Sequence, residues 1–164
     1  MTGEARAYLS LGSNLGDKRG VIAEALRRLA ERPGIAVVAR SADYRTPPWG
    51  DTDQDWFVNA CAAIDTTLPP LALLAGCLAT ETAMGRGRAR KWGPRRIDID
   101  IVDYGGLSLY GEALTLPHPF ALHRPFVLVP LAEIAPDLRL GGVPVGEALS
   151  RLDTGGIVPL GSDA

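Results

Sequence analysis

Residues 97–103, IDIDIVD, alternate apolar and acidic side chains for five positions, the period of a strand buried on one face. Upstream, Val21, Ile22, Ala25, Leu26 and Leu29 recur at helical spacing, and Pro33-Gly34 ends that helix. Short apolar runs predict strands at 7–11, 35–44 and 56–66, with Gly12 and Gly16 punctuating a loop after the first. The stretch 45–55, RTPPWGDTDQD, holds too much Pro, Gly and Asp for a regular element and predicts an exposed loop. Pro69-Pro70 suits a helix start, with an apolar stripe at Leu71, Leu74 and Leu78, and Gly85 and Gly87 end it. Gly105-Gly106 predicts a turn, 107–116 a short hairpin, and 126–135 a helix interrupted by Pro130. The Gly-rich stretch after 140 predicts little structure.

The order strand, helix, strand, strand, helix, strand with short connections implies an α+β fold, with helices on one face of a mostly antiparallel sheet. Neither an internal repeat nor a linker divides the sequence, so one domain is expected over 1–164. A content of 46% hydrophobic and 22% charged residues excludes a largely disordered chain. No apolar run reaches a membrane span, and no basic-then-apolar leader opens the sequence, so a cytoplasmic protein is expected. Cys61 and Cys77 read as small buried hydrophobes in a reducing compartment.

Net charge is −2, which argues against general attraction to nucleic acid. The charge is nevertheless uneven. Residues 85–96, GRGRARKWGPRR, hold Arg86, Arg88, Arg90, Lys91, Arg95 and Arg96 without one acid, and Asp98, Asp100 and Asp103 follow directly. On a strand, Asp98 and Asp100 share a face, ~7 Å apart at Cα. Such a pair suits one or two Mg²⁺ ions, which take few protein carboxylates plus substrate phosphates; a merely solvated strand face is the alternative. Arginine forks suit phosphate oxygens, although a basic loop bearing Trp92 could also grip single-stranded nucleic acid. Glu81 lies on or beside the apolar stripe of the second helix and needs a partner, such as an arginine, a ribose hydroxyl or a surface base. Phe57 and Asn59 share one strand face, where a ring and an amide suit a flat heteroaromatic ligand or an ordinary core. His118 stands between prolines and reads as structural by itself. Zinc-ligand spacing, a P-loop and a dinucleotide fingerprint are all missing.

The stretches YLSLGSNLGDK, YRTPPWG, DQDWFVNA, MGRGRARKWGPRRIDIDIVDYG and LTLPHPFALHRPFVLVPLAEIAPDL, in that order, resemble the 6-hydroxymethyl-7,8-dihydropterin pyrophosphokinases of folate biosynthesis over about residues 7–138. The resemblance implies a ferredoxin-like α+β sandwich with a βαββαβ core and C-terminal additions. It implies transfer of pyrophosphate from ATP to the pterin hydroxymethyl group, release of AMP, and two Mg²⁺ ions on Asp98 and Asp100. Arg86 and Arg95 match catalytic loop arginines. Arg88, Trp92, Ile101, Thr115, His118 and Arg124 match positions around ATP, and Glu81 falls on a nucleotide-side position. Thr46, Trp49, Phe57, Asn59 and Phe126 match the pterin pocket, with Phe57 and Phe126 flanking the ring. The partners implied are these two small molecules, with neither nucleic acid nor membrane; a monomer is the default expectation.

Four positions depart from the family pattern. Phe57 stands where Tyr is frequent, Ala113 and Pro119 stand where some members have Arg and Tyr, and Lys91 replaces an arginine and loses its fork. The loops 45–55 and 85–95 are expected to close over the substrates and exclude water. A nucleic-acid module and a degenerate nucleotide-binding member are the rival readings. Carboxylates beside a groove disfavour the first, and the intact Arg and Asp block disfavours the second.

Overall fold

The computed structural model describes residues 4–48, 55–85 and 97–161. Its core runs β1 (Ala5–Ser13), α1 (Lys18–Ala30), β2 (Ile35–Arg40), β3 (Tyr44–Thr46), β4 (Phe57–Thr66), α2 (Pro70–Ala83) and β5 (Asp98–Tyr104). β4 pairs with β1, and β1 with β5, all antiparallel. β2 and β3 lie end to end along the free edge of β4, β2 opposite Ala62–Thr66 and β3 opposite Phe57–Asn59.

The period-two pattern sorts the sheet into two faces. Leu9, Leu11, Val58, Ile64, Ile99 and Ile101 pack under α1 and α2. Tyr8, Cys61 and Val102 point the other way, under α3 (Pro125–Ile134) and α4 (Val145–Leu149). Helices therefore cover both faces, not one. The apolar stripe of Val127, Leu128 and Leu131 needs burial, and the second sheet face supplies it.

Other expectations are corrected in the same way. Gly12 lies inside β1, not in a loop. The strand expected over 35–44 breaks at 41–43, where Asp43 turns inward to accept bonds from Arg19 Nε at 3.0 Å and from Arg40. Arg45 and Thr46, expected in a loop, extend β3. On α2 the buried side is Leu73, Cys77, Thr80 and Glu81, while Leu71 and Leu78 are exposed. The helix is apolar nearly all round, so its pattern does not choose a face, and packing buries the side that bears Leu73 and Cys77. Pro130 does not interrupt α3 and is itself buried.

Regular elements also form among the described residues after 140. β8 (Arg139–Leu140) and β9 (Val143–Pro144) form a hairpin through Gly141-Gly142, both at positive φ as a primed turn requires. β10 (Val158–Pro159) pairs with β3. The expected hairpin at 107–116 is present as β6 (Leu109–Tyr110) and β7 (Thr115–Leu116). Among the described residues no helix is long and apolar enough to cross a membrane.

Candidate active site

α3 covers only part of the second sheet face. Past Tyr8, Cys61 and Val102 the same face continues as Ser10 and Gly12 on β1, Asn59 and Phe57 on β4, and Asp100 and Asp98 on β5. These side chains, with Thr46, Pro47, Arg124 and Phe126, line an open cleft of roughly 180 Å³. The volume lies below the ~300 Å³ typical of a site that swallows a drug-sized ligand. It suits a small flat ring system, with the rest of a larger ligand lying outside.

One wall reads hydrogen-bond patterns. Asn59 is 6% exposed; its Oδ1 accepts from Thr46 Oγ1 at 2.6 Å, and its Nδ2 faces the Leu11 carbonyl at 3.4 Å. The amide is thereby held in one orientation. Gly12, directly opposite, makes this possible, because a Cβ there would lie 2.7 Å from Asn59 Nδ2. Phe57 and Phe126 supply the aromatic surfaces. The Arg124 guanidinium carbon lies 5.3 Å from the centre of the Phe120 ring and 5.7 Å from that of Phe126, within reach of both as a cation over a ring.

The other wall is acidic. Asp98 and Asp100 flank Ile99 and face the cleft, while Ile99 is buried beneath them. A β-bulge ends the alternation: Leu9 opposes Ile101, Tyr8 opposes Asp103, and Val102 is the extra residue. Asp103 consequently joins the interior, where burial pushes its carboxyl above the usual range. Burial pushes the His118 imidazole down; the Asp100 carboxylate opposes that shift and Arg124 adds to it.

Asp98, half-buried, and Asp100, exposed, present hard oxygen donors to the cleft from one strand. Among the described residues no group of three or more His, Cys, Asp or Glu side chains gathers to hold an ion. This donor set fits Mg²⁺, which keeps waters and substrate oxygens in its shell and needs only one or two carboxylates.

Thr46, Phe57, Asn59, Asp98, Asp100, Arg124 and Phe126 thus converge on one cleft. Glu81, Ile101, Thr115 and His118 do not line it. Glu81 is 4% exposed and accepts the Ile99 amide at 2.6 Å, so a backbone N–H of the acidic strand is among its partners. Ile101 points into the core under α1 and α2, so on the cleft face it offers a ligand no side chain. Thr115 lies on β7 with its hydroxyl on the Gly111 carbonyl, and the His118 amide bonds the Val102 carbonyl along the outer edge of β5. Trp49, Arg86, Arg88, Trp92 and Arg95 lie outside the described residues, as does Lys91. Ser10, Gly12 and Pro47 are cleft residues that the sequence reading passed over. The alternation of Tyr8, Ser10 and Gly12 against Ala7, Leu9 and Leu11 was the signal for the first two.

The sequence profile of 7,8-dihydro-6-hydroxymethylpterin-pyrophosphokinase (HPPK) matches residues 8–136. A Methylorubrum extorquens protein named 2-amino-4-hydroxy-6-hydroxymethyldihydropteridine pyrophosphokinase is 64% identical over 152 residues, covering 93% of this chain and 96% of that one. A Pseudomonas aeruginosa protein of the same name is 45% identical over 147 residues, covering 90% and 89%. Among solved structures, the Plasmodium falciparum HPPK-DHPS with pteroate superposes with a TM-score of 0.73 at 14% identity, over 90% of this chain and 42% of that one. The chain spans under half the length of that solved chain, and the likeness shows a shared fold.

Proposed function

From the premise that this chain belongs to the 7,8-dihydro-6-hydroxymethylpterin-pyrophosphokinase family, we propose that it transfers pyrophosphate from ATP to the hydroxymethyl group of 6-hydroxymethyl-7,8-dihydropterin and releases AMP. The observation that carries this reading is the meeting, in one cleft, of an immobilised amide, two aromatic rings and a pair of carboxylates. The flat pterin lies against Phe57 and Phe126. The Asn59 amide, fixed by Thr46, reads its polar edge. The hydroxymethyl group then extends toward Asp98 and Asp100.

Mg²⁺ held by these two carboxylates would neutralise polyphosphate charge and orient its oxygens. The substrate hydroxyl forms a bond to the β-phosphorus as the bond from that phosphorus to the α-phosphate oxygen breaks, so AMP leaves and a proton is released. Such transfers depend mainly on positioning and charge stabilisation. Here the positioning resides in β1, β4 and β5, whose register puts Asn59 opposite Gly12, and Asp98 and Asp100 opposite Gly12 and Ser10. Arg124 adds a cation at the cleft wall. By motif, Arg86 and Arg95 stabilise the transferring phosphates and Arg88 and Trp92 bind the nucleotide.

The strand order β5-β1-β4-β2/β3, with α1 and α2 together on one face, supports reading the core as ferredoxin-like with C-terminal additions. We place the reaction in folate biosynthesis in the cytoplasm, with one chain sufficient for the chemistry. The test is product analysis with MgATP, with and without the pterin, and with excess EDTA. The expected result is AMP, formed only when pterin and free Mg²⁺ are both present. Formation of ADP, or AMP release independent of pterin, would overturn the proposal.

A further inference from the structure

The family profile ends at residue 136, yet the chain returns afterwards to the cleft wall. β10 pairs with β3, Val158 opposite Arg45 and Pro159 opposite Tyr44, and the Leu160 amide donates to the Asp43 carbonyl at 2.8 Å. Alternation along an antiparallel ladder makes Val158 and Leu160 the inward-bonding positions. Pro159, between them, faces outward, where the missing N–H costs nothing. Leu160 packs against the main core and anchors the segment. Gly156, at φ +84°, brings the chain close behind Pro47: a Cβ built on it would stand 3.5 Å from Pro47 Cγ and Cδ.

Pro47 faces two ways. One side lines the cleft, and the other lines a groove shared with Gly156 and Val158. Thr46, which fixes the Asn59 amide, is the last residue of β3, a strand of only three residues. So short a strand is weakly held by β4 alone. We infer that the C-terminal strand is a positioning element for the substrate pocket: by bracing β3 and backing Pro47, it sets Thr46 and through it the amide that reads the pterin. This rests on the pterin reading proposed above.

The experiment uses the full-length chain with Val158→Pro, which removes the inward N–H of an exposed residue, and Val158→Thr, which keeps it. Leu160→Ala, which trims the anchor and leaves the backbone intact, is the second probe. Pterin affinity is read by fluorescence titration, and nucleotide affinity by titration with a nonhydrolysable MgATP analogue. Hydrogen exchange at the Leu160 amide reports the pairing. The expected result is a pterin Kd raised ~3–10-fold in Val158→Pro, the loss that one hydrogen-bonded contact typically brings. A smaller rise is expected in Leu160→Ala, none in Val158→Thr, and nucleotide Kd should stay within about twofold throughout. Unchanged pterin affinity once the Leu160 amide exchanges freely overturns the inference and leaves the pterin reading standing. Equal loss of both affinities also overturns it, because the strand would then serve only global stability. If the wild-type chain itself fails to bind the pterin, the functional reading falls first, and this inference with it.

Discussion

Gly12→Ala adds one methyl group to β1. The backbone of Gly12 lies outside the positive-φ region, so alanine is conformationally allowed, and strand propensity would favour it. The obstacle is the side chain opposite. The new Cβ would stand 2.7 Å from Asn59 Nδ2, where an unstrained contact needs ~3.5 Å or more. Asn59 must therefore move by most of an ångström. It is short and 6% exposed, and its Oδ1 holds the Thr46 hydroxyl at 2.6 Å, so it cannot swing clear without breaking that bond. Leaving a buried hydroxyl and amide unsatisfied costs about 1–3 kcal/mol. Where the loss falls on the pterin complex, Kd rises about 5–150-fold; where it falls on the free protein, Tm drops by ~2–10 °C. Fluorescence titration with the pterin and thermal denaturation separate the two. Pterin affinity within twofold of wild type, at unchanged Tm, would refute the claim that Asn59 is a fixed reader whose place Gly12 keeps open.

The opposite sign is expected for Gly76→Ala in α2, where a Cβ meets Arg32 Cδ at 3.6 Å and Ile35 Cδ1 at 3.9 Å, ordinary contacts. Replacing a helix-interior glycine should stabilise by about 0.5–1 kcal/mol, a Tm rise of ~1–4 °C in a scanning melt. Burial and its hydrogen bond to Glu133 raise the Tyr44 phenol from 10.0 to about 12. The folded state therefore keeps that proton after the unfolded chain has lost it. The Tyr44 contribution to stability is complete below pH 10 and is lost as pH rises toward 12. Urea titrations over that range should show a fall that Tyr44→Phe lessens. Both thiols are buried, burial raises each, and Cys77 reaches about 12. A thiol-specific chromogenic reagent at pH 8 should react with neither thiol in native protein and with both after denaturation; rapid native labelling would contradict the buried placement.

The parts of the fold legible in the sequence are those where one side of an element differs sharply from the other. Asp98 and Asp100 against Ile97, Ile99 and Ile101 left no choice of face, and the pair lines the cleft as the alternation required. The same holds for the buried stripe of α1. For Phe57 with Asn59 the spacing gave a shared face and left ligand pocket and ordinary core both open; in the structure both line the cleft. Legibility failed where both sides are apolar, or where a residue acts through what it lacks. α2 offers two interleaved apolar stripes, and packing selected the one bearing Cys77 and Glu81. Gly12 resembles loop punctuation until its strand partner is known to be Asn59. Pairing at long range is invisible to local pattern, so the return of 158–160 to β3, and the placement of α3 on the second sheet face, could only come from the folded chain. The arginine motif at 86–95 was legible as chemistry, and its geometry lies outside the described residues.

On the proposed reading, this cleft directs attack to the β-phosphorus beside Asp98 and Asp100. ATP labelled at the β-phosphate, incubated with Mg²⁺ and the pterin, tests it most directly when wild type and Asp100→Asn are followed side by side. The label is expected to move into the pterin product in the wild type and to leave unlabelled AMP. In the variant, transfer should fall by at least ~100-fold at near-native Tm, because Asp100 is exposed and contributes to chemistry rather than to the core. Label retained in ADP, or transfer undiminished in Asp100→Asn, would contradict it.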